Sequence, residues 1–516
     1  MKKLLAISLF LASVNLIYAE NETNEGKVAP ASKTTVQKAT ENKEETPAPV
    51  PQKRPEGFWN FYAKQQAKLV KDNDRAMFED VSTNVKAQED FYSYVNENWD
   101  KKTQIPSTKP AWGAFYELNE KNQDFLRNLI RELKGKSSLT ADEQKVVTLY
   151  DSYSNMEKRN KEGLAPIKND LEKIDAIKNV ADLEKYNVEA TKTGGSEFYG
   201  WGVGTDLNNS KNNAIYLGSA GIGLSREYFQ KDTRENRAIL EEYTRYVSDM
   251  LKYLGESDTL EKAKKIVAFE KQIANTLLTN EERHDVKKYN NPVKVSDLGT
   301  LSRNVDLAQY LKQLNVNTDK VIITELNYYK NLDRFVNDAN IGVIKDYMKY
   351  NLISSAAGVL NDDLGKRSFE FFGRYLNGQK EREVLEKRAL NFTNEGLGEI
   401  IGKIYVQRNF SSEAKKNTLQ MVDYIKKAMK NRIEKLDWMS AATKKKALDK
   451  LSKITVKIGY PDKWRDFSKM TISSNDSLYD QMKKISEWEY NEDMKKVGKP
   501  VDKTEWHMSP HTINAY

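Results

Sequence analysis

The sequence predicts a mainly α-helical fold with one small β-hairpin, and three observations lead there. Apolar residues recur at helical spacing, i, i+3, i+4, i+7, along stretches that are otherwise charged. Only YGWGVGTDL and NAIYLGSAGIGL alternate apolar with small residues between glycines, as paired strands do. The 516 residues are 39% hydrophobic and 31% charged, which suits a soluble globular chain and is too polar for several membrane spans.

Residues 1–19, MKKLLAISLFLASVNLIYA, read as a signal peptide. Lys2 and Lys3 give a charged start, Leu4 to Leu11 an apolar centre and Ala19 a cleavage residue, so export to the periplasm, the cell surface or the medium is expected. The run is too short and too polar for a stable span of about 20 residues. Residues 20–80 read as a linker rich in Pro, Lys and Glu, most clearly over 20–55, which contain TPAPVPQKRP and no aromatic residue. Such a composition buries too little apolar surface to offset the entropy of ordering.

Helices follow. In LTADEQKVVTLYDSY, Thr140 and Glu143 have the spacing of a capping box, and Val146, Val147, Tyr150 and Tyr153 then recur on one face. In NTLQMVDYIKKAMKNRIEKLDWM, the stripe Leu419, Val422, Ile425, Met429, Ile433 and Leu436 opposes a Lys/Arg face, and such a stripe is expected to face the core. No repeat of fixed period is present.

The net charge of +8 is the small excess of 83 Lys+Arg over 75 Asp+Glu, spread along the chain. That describes a solvated surface and gives no reason to expect nucleic acid as a partner. Without cysteine, disulfides, thiolate zinc sites, iron–sulfur clusters and a thiol nucleophile are excluded. LKGKSSL has Ile130 where a phosphate loop needs its first glycine, GWGVG lacks the third glycine of a dinucleotide site, and no GxSxG elbow occurs.

Imidazole chemistry is confined to His284, His507 and His511. His284, in a charged loop, is expected to brace that loop. The last two stand four apart in EWHMSPHTINAY. Pro510 between them disfavours a continuous helix, and the glutamate of HExxH is missing. In a strand their side chains would point the same way but lie about 13 Å apart at roughly 3.3 Å per residue, too far to share an ion. No metal ligand is assigned.

Six blocks in order resemble the neprilysin family of zinc metallopeptidases, family M13, in its bacterial oligopeptidase O branch. The first is EDFYSYVNENWDKKTQIPSTKPAWGAF, with Asp90, Phe91, Tyr94, Val95, Asn96, Trp99, Ile105 and Pro106 in matching places. The others are NAIYLGSAGIGLSREYF, ERHDVKKYNNPV, GEIIGKIYVQRNFSSEAKK, LDWMSAATKKKALDKLSKITVKIGYPDKWRDFS and WHMSPHTINAY. The resemblance implies a large helical substrate-enclosing domain over 81–475. It also implies that 476–516 begin a thermolysin-like α/β catalytic lobe, reaching only its first edge strand.

In that strand, Asn514 would hydrogen-bond the backbone of an oligopeptide substrate and Ala515 would offer a main-chain contact, as in strand addition. The family's cofactor is zinc, held by HExxH and a later glutamate. Neither occurs in these 516 residues, so no catalytic residue is assigned, and the chain is expected to be an incomplete, inactive zinc metalloendopeptidase. A polypeptide carrying the missing catalytic part is then an expected partner, and Trp506, Ile513 and Tyr516 would pack against it. The arginines that read a substrate carboxylate in neprilysin align with Ala111 and Asn119, which leaves plain oligopeptide endopeptidase activity as the expectation. The alternatives are a non-catalytic helical protein that binds peptides or a surface, and a purely structural cell-surface protein.

Overall fold

The computed structural model describes residues 81–516. The predicted signal peptide (1–19) and the whole of the predicted linker (20–80) lie outside the described residues. The described chain divides at Gly113 into a short first unit and a large second one.

The first unit holds α1 (Phe91–Lys102), which the DFYSYV block opens. Asp90 is its N-cap, with the side chain accepting from Ser93 N–H at 3.0 Å, and the helix ends where Thr103 N–H donates to Trp99 O.

The second unit is helical around one small sheet. Its elements, in chain order, include α2 (Ala114–Gly135), α3 (Ala141–Ser154), β1 (Tyr199–Asp206), β2 (Asn209–Ser219), α4 (Arg234–Tyr253), α5 (Thr259–Ala274), β3 (Asn291–Lys294) and β4 (Lys320–Ile323). These are followed by α6 (Ile341–Ala356), α7 (Leu385–Asn409), α8 (Ser412–Lys435), α9 (Ala441–Ser452) and α10 (Leu478–Met494). The capping box of α3 is formed as read: Glu143 N–H donates to Thr140 Oγ1 and Thr140 N–H to Glu143 Oε2. Val146, Val147, Tyr150 and Tyr153 are all buried.

β1 and β2 pair antiparallel with Tyr199 opposite Ser219, as the hairpin reading expected. The sheet extends further than the sequence suggested, in the order β1-β2-β4-β3, with β4 parallel to β2 and β3 antiparallel to β4. β3 and β4 have only four residues each, too few for an alternation to be legible.

Two of the motif blocks brace this sheet. In ERHDVKKYNNPV, Arg283 Nη2 pairs with Glu325 at 2.8 Å, and Asn290 and Asn208 exchange amide hydrogen bonds of 3.1 Å with the hairpin tip. Asn291 Nδ2 donates to Ile323 O at 2.9 Å. His284 is a loop brace, its Nδ1 2.7 Å from Asn280 O. In SAGIGL, any side chain at Gly223 would overlap the Tyr243 hydroxyl. That hydroxyl donates at 2.8 Å to the fully buried Glu270, which also accepts from Gly223 N–H at 2.9 Å. The glycine serves close packing.

The core expectation for α8 does not hold. No residue of α8 is buried: Leu419, Met421, Tyr424, Ile425 and Met429 are exposed, while Val422, Ile433 and Leu436 are half-buried. α8 packs against α9, and this hairpin takes one flank of the stripe and leaves the other open. Nor is there an edge strand over 505–516, which is irregular; the nearest strand-like pairing is a bridge between Asn212 and Pro500.

Candidate functional site

The last residues are laid across the second unit and pinned in three places. At the first, Val501 N–H donates to Lys211 O at 3.0 Å and Asn213 N–H to Lys499 O at 3.1 Å, where β2 begins.

The second pin is ionic. Lys496, on the turn after α10, pairs with Glu505 at 2.6 Å and Asp493 at 3.0 Å, and Lys457 donates to Glu505 O. Burial opposes the charge on Lys496, but the two carboxylates outweigh it and hold its pKa above the usual lysine value. Burial also raises the Asp493 and Glu399 carboxyls. Arg465 completes the base, with its N–H to Glu399 at 2.8 Å, its guanidinium to Glu489 at 2.8 Å, and its plane 4.3 Å from the Trp488 ring.

The third pin is α7. This helix is interrupted at Leu397, whose φ/ψ of −130°/25° leave the helical region between Gly396 and Gly398, the residues of lowest helix propensity after proline. Beyond the break, Gly398 and Gly402 lie one turn apart on one face. A Cβ on Gly398 would stand 2.6 Å from Ser509 Oγ, and one on Gly402 would overlap Pro510 Cδ. The absence of two side chains makes the groove in which Ser509-Pro510-His511 sits.

From α2, Asn122 Nδ2 donates to His511 O at 2.8 Å. The His511 ring is 8% exposed and lies 6.1 Å from Tyr405, which meets Phe125 edge-on at 5.5 Å. His511 Nδ1 is buried without a hydrogen-bond partner, and burial pushes the imidazole pKa down to about 4.

Beyond the pins the chain turns outward. Thr512 N–H closes a turn onto Ser509 O at 2.9 Å, and Asn514, Ala515 and Tyr516 are exposed. Asn514 Oδ1 accepts from Ala515 N–H at 2.8 Å, which leaves the Asn514 Nδ2 donors outside this bond. Tyr516 faces the His507 ring at 5.8 Å and accepts from His507 N–H at 3.2 Å. Trp506 and Ile513, expected to await a partner lobe, are each half-buried.

His507 and His511 are thus separated by setting, one beside Tyr516 and the other buried against α7. Among the described residues no group of three His, Asp or Glu stands close enough together to hold a metal ion. No described helix is long and apolar enough to cross a membrane.

A family model for peptidase family M13, covering its N-terminal part, matches residues 87–461, more than half of the sequence. The chain belongs to peptidase family M13. The match takes in α1, the sheet and α7 to α9. Among M13 relatives, the neutral endopeptidase of Lactococcus lactis subsp. lactis is 27% identical over 436 residues, spanning 83% of this chain and 69% of that protein. Neprilysin-3 of Drosophila melanogaster is 25% identical over 475 residues, 84% of this chain and 59% of that one. The zinc metalloprotease of Mycobacterium tuberculosis in complex with an inhibitor superposes with a TM-score of 0.79 at 27% identity, over 85% of this chain and 67% of the other.

Sequence reasoning named Asn514 and Ala515 but missed what holds them: Asn122, Gly398, Gly402, Lys457 and Lys496. The two glycines were in view within GEIIGKIY, and their i, i+4 spacing was the available signal. What they accommodate lies more than 100 residues away in the chain and cannot be read from spacing.

Proposed function

We propose that residues 81–475 form the substrate-enclosing domain of an exported M13 zinc metalloendopeptidase of oligopeptides, with Asn514 and Ala515, in the segment that begins its catalytic lobe, as backbone contacts for the peptide. The observation that carries this reading is the C-terminal segment. It is anchored through His511, then exposed with no ladder partner among the described residues, which leaves an extended peptide room to pair. Zinc supplies a polarised water for peptide hydrolysis in such enzymes, and HExxH is missing from this sequence. We therefore propose that the 516-residue chain alone neither binds stoichiometric zinc nor cleaves peptides. A quenched fluorescent oligopeptide with added zinc tests this directly: no cleavage is expected, and chelator-sensitive cleavage would overturn it.

The second reading is a non-catalytic binding protein, favoured by the open apolar side of α8. The two part on one measurement. Asn514→Ala weakens peptide binding in the first reading, and Ile425→Glu does so in the second.

A further inference from the structure

We infer that the Gly398–Gly402 face of α7 and the Asn122 amide are positioning residues: they set where the peptide-contacting pair Asn514–Ala515 stands. This rests on the peptide reading above. Three observations point to it independently of that reading. The groove admits no side chain at either glycine, because Ser509 and Pro510 already occupy the space a Cβ would take. The Asn122 amide Nδ2 donates to the His511 carbonyl at 2.8 Å, a directional bond that fixes the orientation of that peptide. Between this anchor and Asn514 only Thr512 and Ile513 intervene, with one turn-closing bond, Thr512 N–H to Ser509 O.

Three residues of extended chain reach at most about 10 Å. The anchor therefore limits the place and direction of Asn514, while the pair itself remains free to pair with a ligand. A shift of about 1 Å at the groove is carried outward to a group whose use depends on hydrogen-bond geometry. Two blocks of sequence more than 100 residues apart, GEIIGKIY and SPHTINAY, thus act as socket and insert of one device.

The absence of cysteine permits a direct test. Thr512→Cys, exposed in the structure, carries a single spin label in the full 516-residue chain. Its mobility, the melting temperature and the binding of a fluorescein-labelled hexapeptide, Ala-Ala-Phe-Leu-Ala-Ala, are measured in parallel for Gly402→Ala, Asn122→Ala and Gly402→Ala with Pro510→Ala. The single variants are expected to free the label at least threefold and weaken peptide binding at least fivefold. Removing the proline ring restores both to within twofold, because it vacates the space the new Cβ needs. Unchanged mobility and affinity in Gly402→Ala overturn the inference. So does a lower melting temperature with both unchanged, since the contact would then serve stability alone. If the parent chain does not bind the hexapeptide, the peptide reading of Asn514 and Ala515 fails, and label mobility by itself decides whether the groove anchors the segment.

Discussion

α7 and α8 are neighbours in the chain, 25 and 24 residues long, and both space their apolar side chains at helical intervals. α7 buries ten residues, among them Leu390, Phe392, Ile401 and Ile404, and meets α2, α3 and the C-terminal segment. α8 buries none. The spacing of apolar residues is a property of the helix, whereas burial is a property of its surroundings. α7 is enclosed because α3 supplies Tyr153 against Phe392 at 5.1 Å and α2 supplies Phe125 against Tyr405. α8 has α9, and one short helix cannot cover a stripe about five turns long.

The comparison breaks most visibly under core truncation. Leu390→Ala in α7 is expected to cost about 3 kcal/mol, the usual scale for a buried leucine, whereas Ile425→Ala in α8 should stay within about 0.5 kcal/mol. Chemical denaturation of the two variants measures both, and equal losses would mean that α8 is covered in solution.

Nearly as large is the acid response of the segment seated on α7. His511 has its pKa pushed down to about 4 by burial, so the docked state favours the neutral ring. Released, the ring takes up a proton near pH 6.5. Docking is therefore at full strength above about pH 6.5, weakens as pH falls toward 4, and levels off below; the total approaches about 3 kcal/mol. The raised carboxyls of Glu399 and Asp493 act in the opposite sense, because burial favours their neutral forms. The difference between the parent chain and His511→Gln isolates the imidazole. A difference independent of pH between 7 and 4 would refute it.

Smaller again is the cap of α3. Thr140→Ala removes the acceptor for Glu143 N–H and should cost about 1 kcal/mol. Last, amide exchange ranks the helices without mutation: the buried half of α7 should exchange slowest and α8 among the fastest helices, the reverse of what the apolar stripe alone suggests.

Much of the fold was legible. The capping box at Thr140, the hairpin at Tyr199 to Ser219 and the order of six motif blocks depend on neighbours a few residues apart, or on side-chain patterns that survive as text. The four-residue strands β3 and β4 were not legible, because their pairing comes from β2 and not from any alternation of their own. The setting of the proposed contact pair was less legible. The sequence by itself determined the family and the absence of HExxH and thiol chemistry, while the pair Asn514–Ala515 rests on the family resemblance and stays a proposal. Only the tertiary structure decided that the segment before them is no strand, that Gly398 and Gly402 clear the space for Ser509 and Pro510, and that the apolar stripe of α8 stays in water. Each of these depends on what a distant part of the chain places against a surface, and local spacing carries no information about that.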